Sequence, residues 1–210
     1  CVGNHDQPRV ASRLGTERAR ALHFLNLLTP GVSVMYYGDE IGMTNGELTA
    51  DDIQDNFSPA NSTIDSRDLE RTPMQWDDTQ FAGFSSVQPW LPVHANATRT
   101  NVLTQAMHPD SLLHLHRRLL RLRRSMPVLQ RGTLEVMNTG NGFVLGIKRE
   151  LGSERAYIYI NFADAPQHFF IPEHTEIIAS THPYCSTIDN NQQLTIQKYC
   201  GVLLLPQNNR

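Results

Sequence analysis

The stretch that decides the fold of this chain is residues 16–37, TERARALHFLNLLTPGVSVMYY. Its first part, residues 16–28, carries apolar side chains at positions 21, 22, 25 and 28 behind a capping threonine, which predicts a helix with one buried face. Pro30-Gly31 ends that helix, and residues 32–37 form a short apolar, β-rich run that predicts a strand. With the apolar approach at the start of the chain, this helix and strand predict the repeating unit of a parallel α/β structure.

Polar groups crowd the sequence just upstream of the helix. Asn4, His5 and Asp6 stand side by side after that short apolar approach, and Pro8 and Arg9 follow them. Asn and Asp also favour turns and helix caps, and a lone His is more often a surface residue than a catalyst. The triplet alone therefore leaves a turn and a functional site as alternatives, and only its context can favour the site.

Composition places the chain among soluble globular proteins of one or two domains. It has 210 residues, of which 40% are hydrophobic and 19% charged, and its net charge is -3, so nothing suggests a nucleic acid or a membrane surface as a partner. The chain begins with Cys and not Met, and no leader precedes its first motif, so we expect a fragment whose N-terminus lies upstream. No apolar run approaches the roughly 20 residues that span a bilayer, although a missing anchor in a fragment proves little.

Cysteines and glycosylation sequons indicate an oxidising, secretory compartment. Cys185 and Cys200 lie close together in a strand-rich stretch, where they could pair as a disulfide or stay two buried thiols. Three sequons lie in polar, loop-like sequence, at Asn56, Asn61 and Asn96. We therefore expect a secreted or extracellular protein, with membrane attachment only through segments outside this chain.

Residues 39–108 show no sustained periodicity and are rich in turn-forming residues with single aromatics between them. Loops of this length are usually functional or disordered, and the interleaved aromatics favour an ordered excursion. Within it, residues 71–77, RTPMQWD, combine a cation, a rigid turn and an aromatic ring. By itself this motif is typical of a packed loop in which Arg71 pairs with a surface carboxylate.

Helical periodicity returns over residues 109–124, where Pro109 suits the first helical position and a leucine stripe forms an apolar face. The late arginines of this helix meet the negative end of the helix dipole, so they indicate a solvated face and not a nucleic-acid site. A domain boundary is predicted at Met126-Pro127, where the helix ends.

Beyond the boundary the sequence becomes strand-rich. Residues 133–137, 143–148 and 156–162 predict strands, and Asn141-Gly142 between the first two is a hairpin signal because both residues tolerate positive φ. Shorter β-rich runs follow at 167–171, 175–179, 194–198 and 201–205. Residues 127–210 are therefore predicted to form a small antiparallel β-sandwich.

Three motifs together resemble one family. They are residues 3–9, GNHDQPR; residues 28–31, LTPG, leading into residues 36–43, YYGDEIGM; and residues 71–77, RTPMQWD. In this order and spacing they resemble the maltase and oligo-1,6-glucosidase branch of the α-amylase family, glycoside hydrolase family 13. The sequons and loop style are most similar to insect maltases.

The resemblance implies an α/β fold, a (β/α)8 barrel followed by a C-terminal β-sandwich. Residues 1–126 would then be the C-terminal part of the catalytic barrel, from the end of its seventh strand to its eighth helix, with a long loop at 39–108. Residues 127–210 would be the sandwich domain. The polar clusters at strand ends fall on the face where barrel enzymes place their sites.

The resemblance also assigns roles to individual residues. Asp6 matches the family's transition-state stabiliser, and His5 matches the hydroxyl-binding histidine beside it. Arg71 matches an arginine that closes the pocket around the terminal glucose, and Arg9 fits as a support that binds near the substrate. Asp39 and Glu40 have no catalytic role in the family pattern, and the nucleophilic Asp and acid/base Glu are expected on earlier strands.

The function implied is that of a retaining exo-acting α-glucosidase acting on maltose, sucrose and short malto-oligosaccharides, with the fragment alone inactive. The partner expected is therefore a small oligosaccharide and not a nucleic acid. No cofactor is expected within this fragment, although a structural calcium site could lie upstream. Two alternatives remain: a non-catalytic relative, such as an amino-acid-transporter heavy chain or a surface receptor, and a fragment that is itself a binding module. The oligomeric state and the preferred linkage stay open.

Overall fold

The computed structural model describes residues 2–55 and 66–207 of the chain. The chain divides into two compact units, one made of residues 1–19 and 34–114 and the other of residues 20–33 and 115–210. Short helices and loops make up the first unit, and the described β-strands all lie in the second. The domain boundary expected between residues 126 and 127 stays a prediction.

The helix predicted at residues 16–28 is confirmed. Helix α1 spans Val10–Leu14 and helix α2 spans Thr16–Leu28, separated by Gly15 at a φ of 79°. The predicted buried face of α2 is confirmed at Ala21 and Leu28, while positions 22 and 25 are half-buried. Burial also includes His23, Phe24 and Leu27, which the prediction did not name. A histidine thus belongs to the core, which the apolar pattern could not indicate.

The strand predicted at residues 32–37 is not formed. No described strand pairs with these residues, and Val32 is 91% exposed. A strand exists through hydrogen bonds to a neighbour, and no described part of the chain supplies that neighbour here. Residues 32–37 therefore form no strand within the described part of the chain, and the strand stays a prediction for a longer chain that supplies a neighbour.

The long loop at 39–108 is an ordered excursion built on short helices, as far as it lies in the described ranges. It contains 3-10 turns at Asp39–Ile41, Ala50–Asp52, Arg67–Glu70 and Ala95–Thr98 and one α-helix, α3, at Val102–Met107. Its apolar core comprises Ile41, Met43, Met74 and Leu113, with Val102 packed against them. The α3 residue Gln105 links this core, because its amide donates to Ile41 O at 2.6 Å and accepts from Leu113 N at 3.1 Å.

The second long helix starts later than predicted. Helix α4 spans Leu112–Ser125, while Pro109 lies in the turn before it. The Ser111 hydroxyl accepts a hydrogen bond from His114 N at 3.2 Å, so Ser111 caps the helix where Pro109 was expected to start it. A short helix α5, Pro127–Arg131, follows with proline at its start. In the described ranges, no helix combines the length and apolar composition needed to cross a membrane.

The predicted antiparallel β-sandwich is confirmed within the second unit. A five-stranded sheet has the order β1-β2-β3-β8-β5 and a three-stranded sheet the order β4-β7-β6, and all pairings are antiparallel. The strands are β1 Thr133–Met137, β2 Val144–Leu151, β3 Glu154–Asn161, β4 Gln167–Phe170, β5 Thr175–Ser180, β6 Ser186–Ile188, β7 Gln193–Ile196 and β8 Gly201–Pro206. Strand β6, with three residues, was missed because so short a run carries no periodicity.

One apolar core joins the two sheets. It includes Tyr159 of β3 and Val202 of β8 from the larger sheet, and Phe169 of β4 and Leu194 of β7 from the smaller one. The sheets therefore pack face to face, as in a sandwich.

The hairpin between β1 and β2 forms as predicted, but its turn is different. Thr133 pairs with Glu150 and Met137 with Gly146. Positive φ occurs at Gly140, at 69°, and not at Asn141 or Gly142. The Asn141 side chain instead accepts a hydrogen bond from Phe143 N at 3.0 Å, so it shapes the loop as an acceptor.

Candidate active site

Asp6 lies in the turn that leads into α1, and its backbone is held locally. Asp6 N donates to the Asn4 side chain at 2.8 Å, which fixes the turn through an Asx-type hydrogen bond. The turn explanation of the Asn-His-Asp triplet is therefore met by Asn4, and the functional role of Asp6, which projects from that turn, stays a prediction. The Asp6 side chain is 48% exposed and accessible to a ligand.

Three side chains converge on the Asp6 carboxylate. Arg67 Nη1 and Arg71 Nη2 lie 3.1 and 3.2 Å from Oδ1, and His5 Nε2 lies 3.2 Å from Oδ2. Two guanidinium groups on one oxygen orient the carboxylate strongly, since hydrogen bonds between ions are the shorter and stronger kind. The structure thus brings together Asp6, His5 and Arg71, as expected from the sequence.

Arg71, which lies 65 residues after Asp6, links the Asp6 turn to the long loop at 39–108. Its Nε donates to the His5 carbonyl at 3.0 Å while Nη2 holds the Asp6 carboxylate. The predicted partner, a surface carboxylate, is therefore the carboxylate of the site itself.

Arg67 is the site residue that sequence reasoning missed. Its Nε and Nη2 bind both oxygens of the buried Asp55 carboxylate, at 2.8 and 2.7 Å, while Nη1 reaches Asp6. The hydrogen bond to Asp55 raises the pKa of Arg67 above its ordinary value. The sequence held one signal for this role, because Arg67 precedes Arg71 by four residues, close to one helical turn.

A buried carboxylate, Asp68, supports the Arg67–Asp55 pair. Asp68 Oδ2 accepts from Gln54 N at 2.6 Å and Asp55 N at 2.7 Å, and Asp68 N donates to the Ser66 hydroxyl at 3.2 Å. The 3-10 turn Arg67–Glu70 is therefore capped at its start and tied to the segment that carries Asp55. This scaffold fixes where Arg67 meets Asp6.

Arg9 occupies a different place from the one expected of a substrate ligand. It is only 1% exposed, its Nη1 donates to Tyr37 O at 2.6 Å, and its guanidinium lies 5.0 and 4.7 Å from the rings of Tyr36 and Tyr37. Its Nε and Nη2 have no hydrogen-bond partner among the described residues. This burial favours support of the tyrosine pair over substrate contact, and direct substrate binding by Arg9 stays a prediction.

Two further carboxyl groups near Arg9 are buried, those of Asp39 and Glu70. The resemblance gives Asp39 no catalytic role, and no motif in the sequence indicated a role for Glu70. Burial raises the pKa of Asp39 to about 6 and that of Glu70 to about 7. Asp39 also accepts from Tyr36 N at 3.2 Å and leaves no space at Gly3, where a Cβ would lie 2.9 Å from its Oδ2. Asp39 therefore helps to pack the turn, and its lack of a catalytic role stays a prediction.

Of the three sequons, only Asn96 lies in the described residues; Asn56 and Asn61 lie outside them. Asn96 Nδ2 donates to Thr44 Oγ1 at 3.2 Å, and its Oδ1 accepts from Gln75 at 2.9 Å. A glycan on Nδ2 would replace the bond to Thr44, so the structure disfavours modification at Asn96. Glycosylation of all three stays a prediction.

Cys185 and Cys200 are buried, reduced thiols in the sandwich core, and the disulfide that they could form is not made in this structure. The hydrogen bond from the Cys200 thiol lowers the pKa of Cys185, and both residues belong to the apolar core between the two sheets. A disulfide requires an oxidant as well as proximity, and the pairing stays a prediction for an oxidising compartment. Among the described residues, no group of three His, Cys, Asp or Glu side chains could hold a metal ion.

Comparisons with known proteins agree with this geometry. The family of the alpha amylase catalytic domain matches residues 1–132. The chain is 32% identical to an alpha-glucosidase of Apis mellifera over 98% of its length and 38% of that protein's. It is 40% identical to maltase 1 of Drosophila virilis over 79% of the chain and 27% of that protein. It is 30% identical to an oligo-1,6-glucosidase of Parageobacillus thermoglucosidasius over 82% of the chain and 35% of that protein.

Solved structures show the same likeness. The trehalulose synthase MutB from Pseudomonas mesoacidophila MX-45 superposes with a TM-score of 0.83 at 28% identity, over 97% of this chain and 42% of that one. The isomaltulose synthase SmuA from Protaminobacter rubrum gives a TM-score of 0.82 at 28% identity, with the same coverage of 97% and 42%. The predicted fold class, part of a (β/α)8 barrel with an antiparallel sandwich, is thereby confirmed.

The chain spans 27% to 40% of the length of the first curated relatives that it matches. The family match nevertheless covers more than half of the chain and contains the whole Asp6 cluster. The chain belongs to the alpha-amylase family.

Proposed function

We propose that this chain is part of a retaining, exo-acting α-glucosidase that releases glucose from the non-reducing end of maltose, sucrose and short malto-oligosaccharides. The observation that carries the proposal is the accessible Asp6 carboxylate, held between Arg67, Arg71 and His5. The names of the relatives, maltase, alpha-glucosidase and oligo-1,6-glucosidase, point to the same class of reaction.

The chemistry of this cluster suits glycoside hydrolysis. The transition state carries positive charge at the anomeric carbon and a flattened ring, with two carboxyl groups flanking the bond that breaks. A third carboxylate that binds sugar hydroxyls favours the flattened ring when its hydrogen bonds strengthen there, which lowers the barrier. In the proposal Asp6 does this, His5 binds a neighbouring hydroxyl, and the two arginines hold the carboxylate in place.

The proposed cleavage at the end of the sugar chain, and not within it, rests on the two arginine side chains beside Asp6. Arg67 and Arg71 both contact Oδ1 of Asp6, so the sugar-binding face of the carboxylate is bounded on one side by their guanidinium groups. A pocket closed on that side accepts a terminal glucose unit and excludes a chain that continues past it. The proposed products are therefore single glucose molecules.

The chain supplies one part of the proposed machinery. Since it spans little more than a third of the matched relatives, we place the Asp nucleophile and the Glu acid/base in barrel strands outside it. Any structural calcium site would likewise lie there. A non-catalytic relative or a surface receptor is disfavoured, because a protein without catalysis has no physical reason to keep an accessible carboxylate surrounded by three cationic or polar partners.

Two assays test the proposal. The complete protein should release glucose from maltose, sucrose and maltotriose, and product analysis separates this from formation of trehalulose, the activity in the name of one structural relative. The 210-residue chain alone should not hydrolyse p-nitrophenyl α-glucoside. Measurable turnover by the chain would overturn the placement of the nucleophile and acid/base outside it, and a complete protein that releases no glucose would overturn the function.

We also propose that the protein is secreted or displayed outside the cell, on the strength of the three sequons and the adjacent Cys185 and Cys200. Mass analysis before and after digestion with a peptide N-glycosidase tests this. Glycan at Asn56 or Asn61 is expected, and Asn96 should be the least occupied because its amide is hydrogen-bonded. A protein from its native source without any glycan would remove this support.

A further inference from the structure

Tyr37 connects the Asp6 cluster to the buried interior of the first compact unit. Its hydroxyl donates a hydrogen bond to Thr72 O at 2.6 Å, across 35 residues of sequence. Thr72 directly follows Arg71, whose guanidinium group holds the Asp6 carboxylate. The Tyr37 hydroxyl therefore fixes the backbone one residue beyond a side chain of the site.

The backbone of Arg71 is held on its other side as well. Arg71 N donates to Asp68 O at 3.0 Å, at the end of the capped 3-10 turn Arg67–Glu70. The turn thus anchors the chain just before Arg71, and the bond from Tyr37 to Thr72 O anchors it just after. A long side chain such as that of an arginine keeps one position only when its own backbone is fixed, because its rotamer freedom is large.

Tyr37 is itself held by Arg9. Arg9 Nη1 donates to Tyr37 O at 2.6 Å, and its guanidinium carbon lies 4.7 Å from the centre of the Tyr37 ring. A cation over an aromatic ring is attracted to it, and more strongly where water is excluded, as at the buried Arg9. Gly38 follows at a φ of 85°, and a Cβ there would lie 2.9 Å from Arg9 Nη1, so glycine leaves the room that this contact needs.

The contacts of Arg9, Tyr37 and Arg71 form a closed circuit that begins and ends at Asp6. Arg9 follows Asp6 by three residues in the sequence and binds Tyr37. Tyr37 binds the residue after Arg71, and Arg71 returns to the Asp6 carboxylate. Burial raises the pKa of Tyr37 above its ordinary value, so its hydroxyl keeps the proton that it donates. Closure of this kind suits a catalytic carboxylate, since a misplacement of about 1 Å can cost roughly 100-fold in rate.

We infer that Tyr37 is a positioning residue for the reaction: its hydroxyl holds Arg71 where that arginine orients the Asp6 carboxylate. The inference rests on the proposed function for its effect on turnover, whereas the effect on Arg71 does not depend on it. Tyr37 acts through Arg71 and not on the substrate. Loss of the hydroxyl should loosen Arg71 and leave Arg67, which is anchored by Asp55, in place.

Arginine-selective labelling of the complete protein tests the positioning. Tyr37→Phe keeps the ring over the Arg9 guanidinium and removes the hydrogen bond to Thr72 O. Phenylglyoxal reacts with guanidinium groups when they leave their partners, and peptide mass spectrometry measures the rate at each arginine. In Tyr37→Phe the rate at Arg71 should rise about fivefold, the scale of one neutral hydrogen bond. The rate at Arg67 should stay unchanged and serves as the internal reference.

The matched control is Tyr157→Phe. The Tyr157 hydroxyl also donates to an acceptor, the Glu173 carboxylate, but it lies in the other compact unit. This variant should leave the labelling rates of Arg67 and Arg71 as they are in the unmodified protein. An unchanged rate at Arg71 in Tyr37→Phe would overturn the inference. An equal rise at Arg67 would overturn it too, because it would show a general loosening of the unit.

Kinetics of the complete enzyme test the consequence for the reaction. In the proposed function the contacts of Asp6 strengthen in the transition state, so Tyr37→Phe should lower kcat for maltose about fivefold and change KM by less than about twofold. Tyr157→Phe should leave both constants unchanged. Faster labelling of Arg71 with an unchanged kcat would contradict a role of Tyr37 in the reaction. Labelling needs no turnover, so a lack of glucose release by the unmodified protein contradicts the proposed function and leaves the labelling result intact.

Discussion

A single carboxylate carries most of the chemistry that can be assigned to this chain. In the complete protein, Asp6→Asn removes the negative charge that faces the sugar while keeping the size of the side chain. Turnover of maltose should fall roughly 100-fold or more, the scale of losing one electrostatic contact to a transition state. Because the side chain is 48% exposed, the circular dichroism spectrum and the thermal midpoint should change little. Near-normal kcat would remove Asp6 from the mechanism.

His23 makes the stability of the chain sensitive to acid. It is buried in α2 with its ring 5.1 Å from that of His116, and burial first, then the nearby His116, lower its pKa from 6.5 to about 3. Between about pH 3 and pH 6.5 the His23 ring is protonated in the unfolded chain and neutral in the folded chain. Stability is therefore unaffected by His23 above pH 6.5 and is lost as the pH falls below it.

The size of this effect sets the experiment. His23 alone should contribute a loss of about 2 kcal/mol at pH 5 relative to pH 8. Asp39 and Glu70 act in the opposite direction, because their raised pKa values let the folded chain take up protons in this range. Urea unfolding of the chain and of His23→Leu at both pH values isolates the contribution of His23, because the variant has no proton to take up there and the other groups are common to both. An equal pH dependence in the variant would assign the acid sensitivity to other groups.

The site could be predicted from sequence only where its parts were local or matched a family motif. Asn4, His5 and Asp6 are neighbours in sequence, so their crowding was visible. Arg67 was not, since its contact with Asp6 spans 61 residues and depends on Asp55 and the capped turn that position it. Arg9 shows the opposite limit, because its position beside a site motif suggested a support near the substrate but could not indicate that its guanidinium is buried against two tyrosine rings.

At the scale of elements, helices and hairpins form through contacts between residues that are close in sequence, whereas a strand without a hairpin needs a distant partner. Helix α2 was predicted to the residue because its hydrogen bonds and its ending at Pro30-Gly31 are encoded locally. The β2–β3 hairpin is equally local, with Gly152 at a φ of 61° in its two-residue turn. Residues 32–37 have strand composition but no described partner, and no local pattern can supply one.

Arg149 of β2 joins several elements of the second unit. Its buried guanidinium donates to the carbonyls of Leu28 at 2.8 Å, Leu129 at 3.0 Å, Gly132 at 2.8 Å and Thr133 at 3.0 Å. It thereby satisfies acceptors at the ends of α2 and α5 and at the start of β1, which helix ends otherwise leave unpaired. Burial lowers the pKa of Arg149.

Removing this cation should destabilise the second unit. Arg149→Met leaves three buried carbonyls and one partly buried carbonyl without their donor, and we expect a loss of about 3–5 kcal/mol of unfolding free energy. The control is Arg155→Met on the neighbouring strand, whose half-exposed side chain makes surface ion pairs worth about 1 kcal/mol or less. Denaturant unfolding compares the two, and equal losses would contradict the linking role of Arg149.

At the scale of the whole molecule, the proposed extracellular location and the sandwich core make a joint prediction. Cys185 and Cys200 belong to the same apolar core. Oxidised glutathione should convert their two thiols to a disulfide, and it is itself reduced to two glutathione molecules by the two electrons and two protons that the thiols give up. Closing a loop of about 15 residues should stabilise the fold by about 3 kcal/mol. Non-reducing mass spectrometry and urea unfolding, in a Cys1→Ser background that prevents mispairing, measure both effects. If both thiols persist in the folded chain under these conditions, the pairing is wrong, and the cysteines give no support to an oxidising compartment.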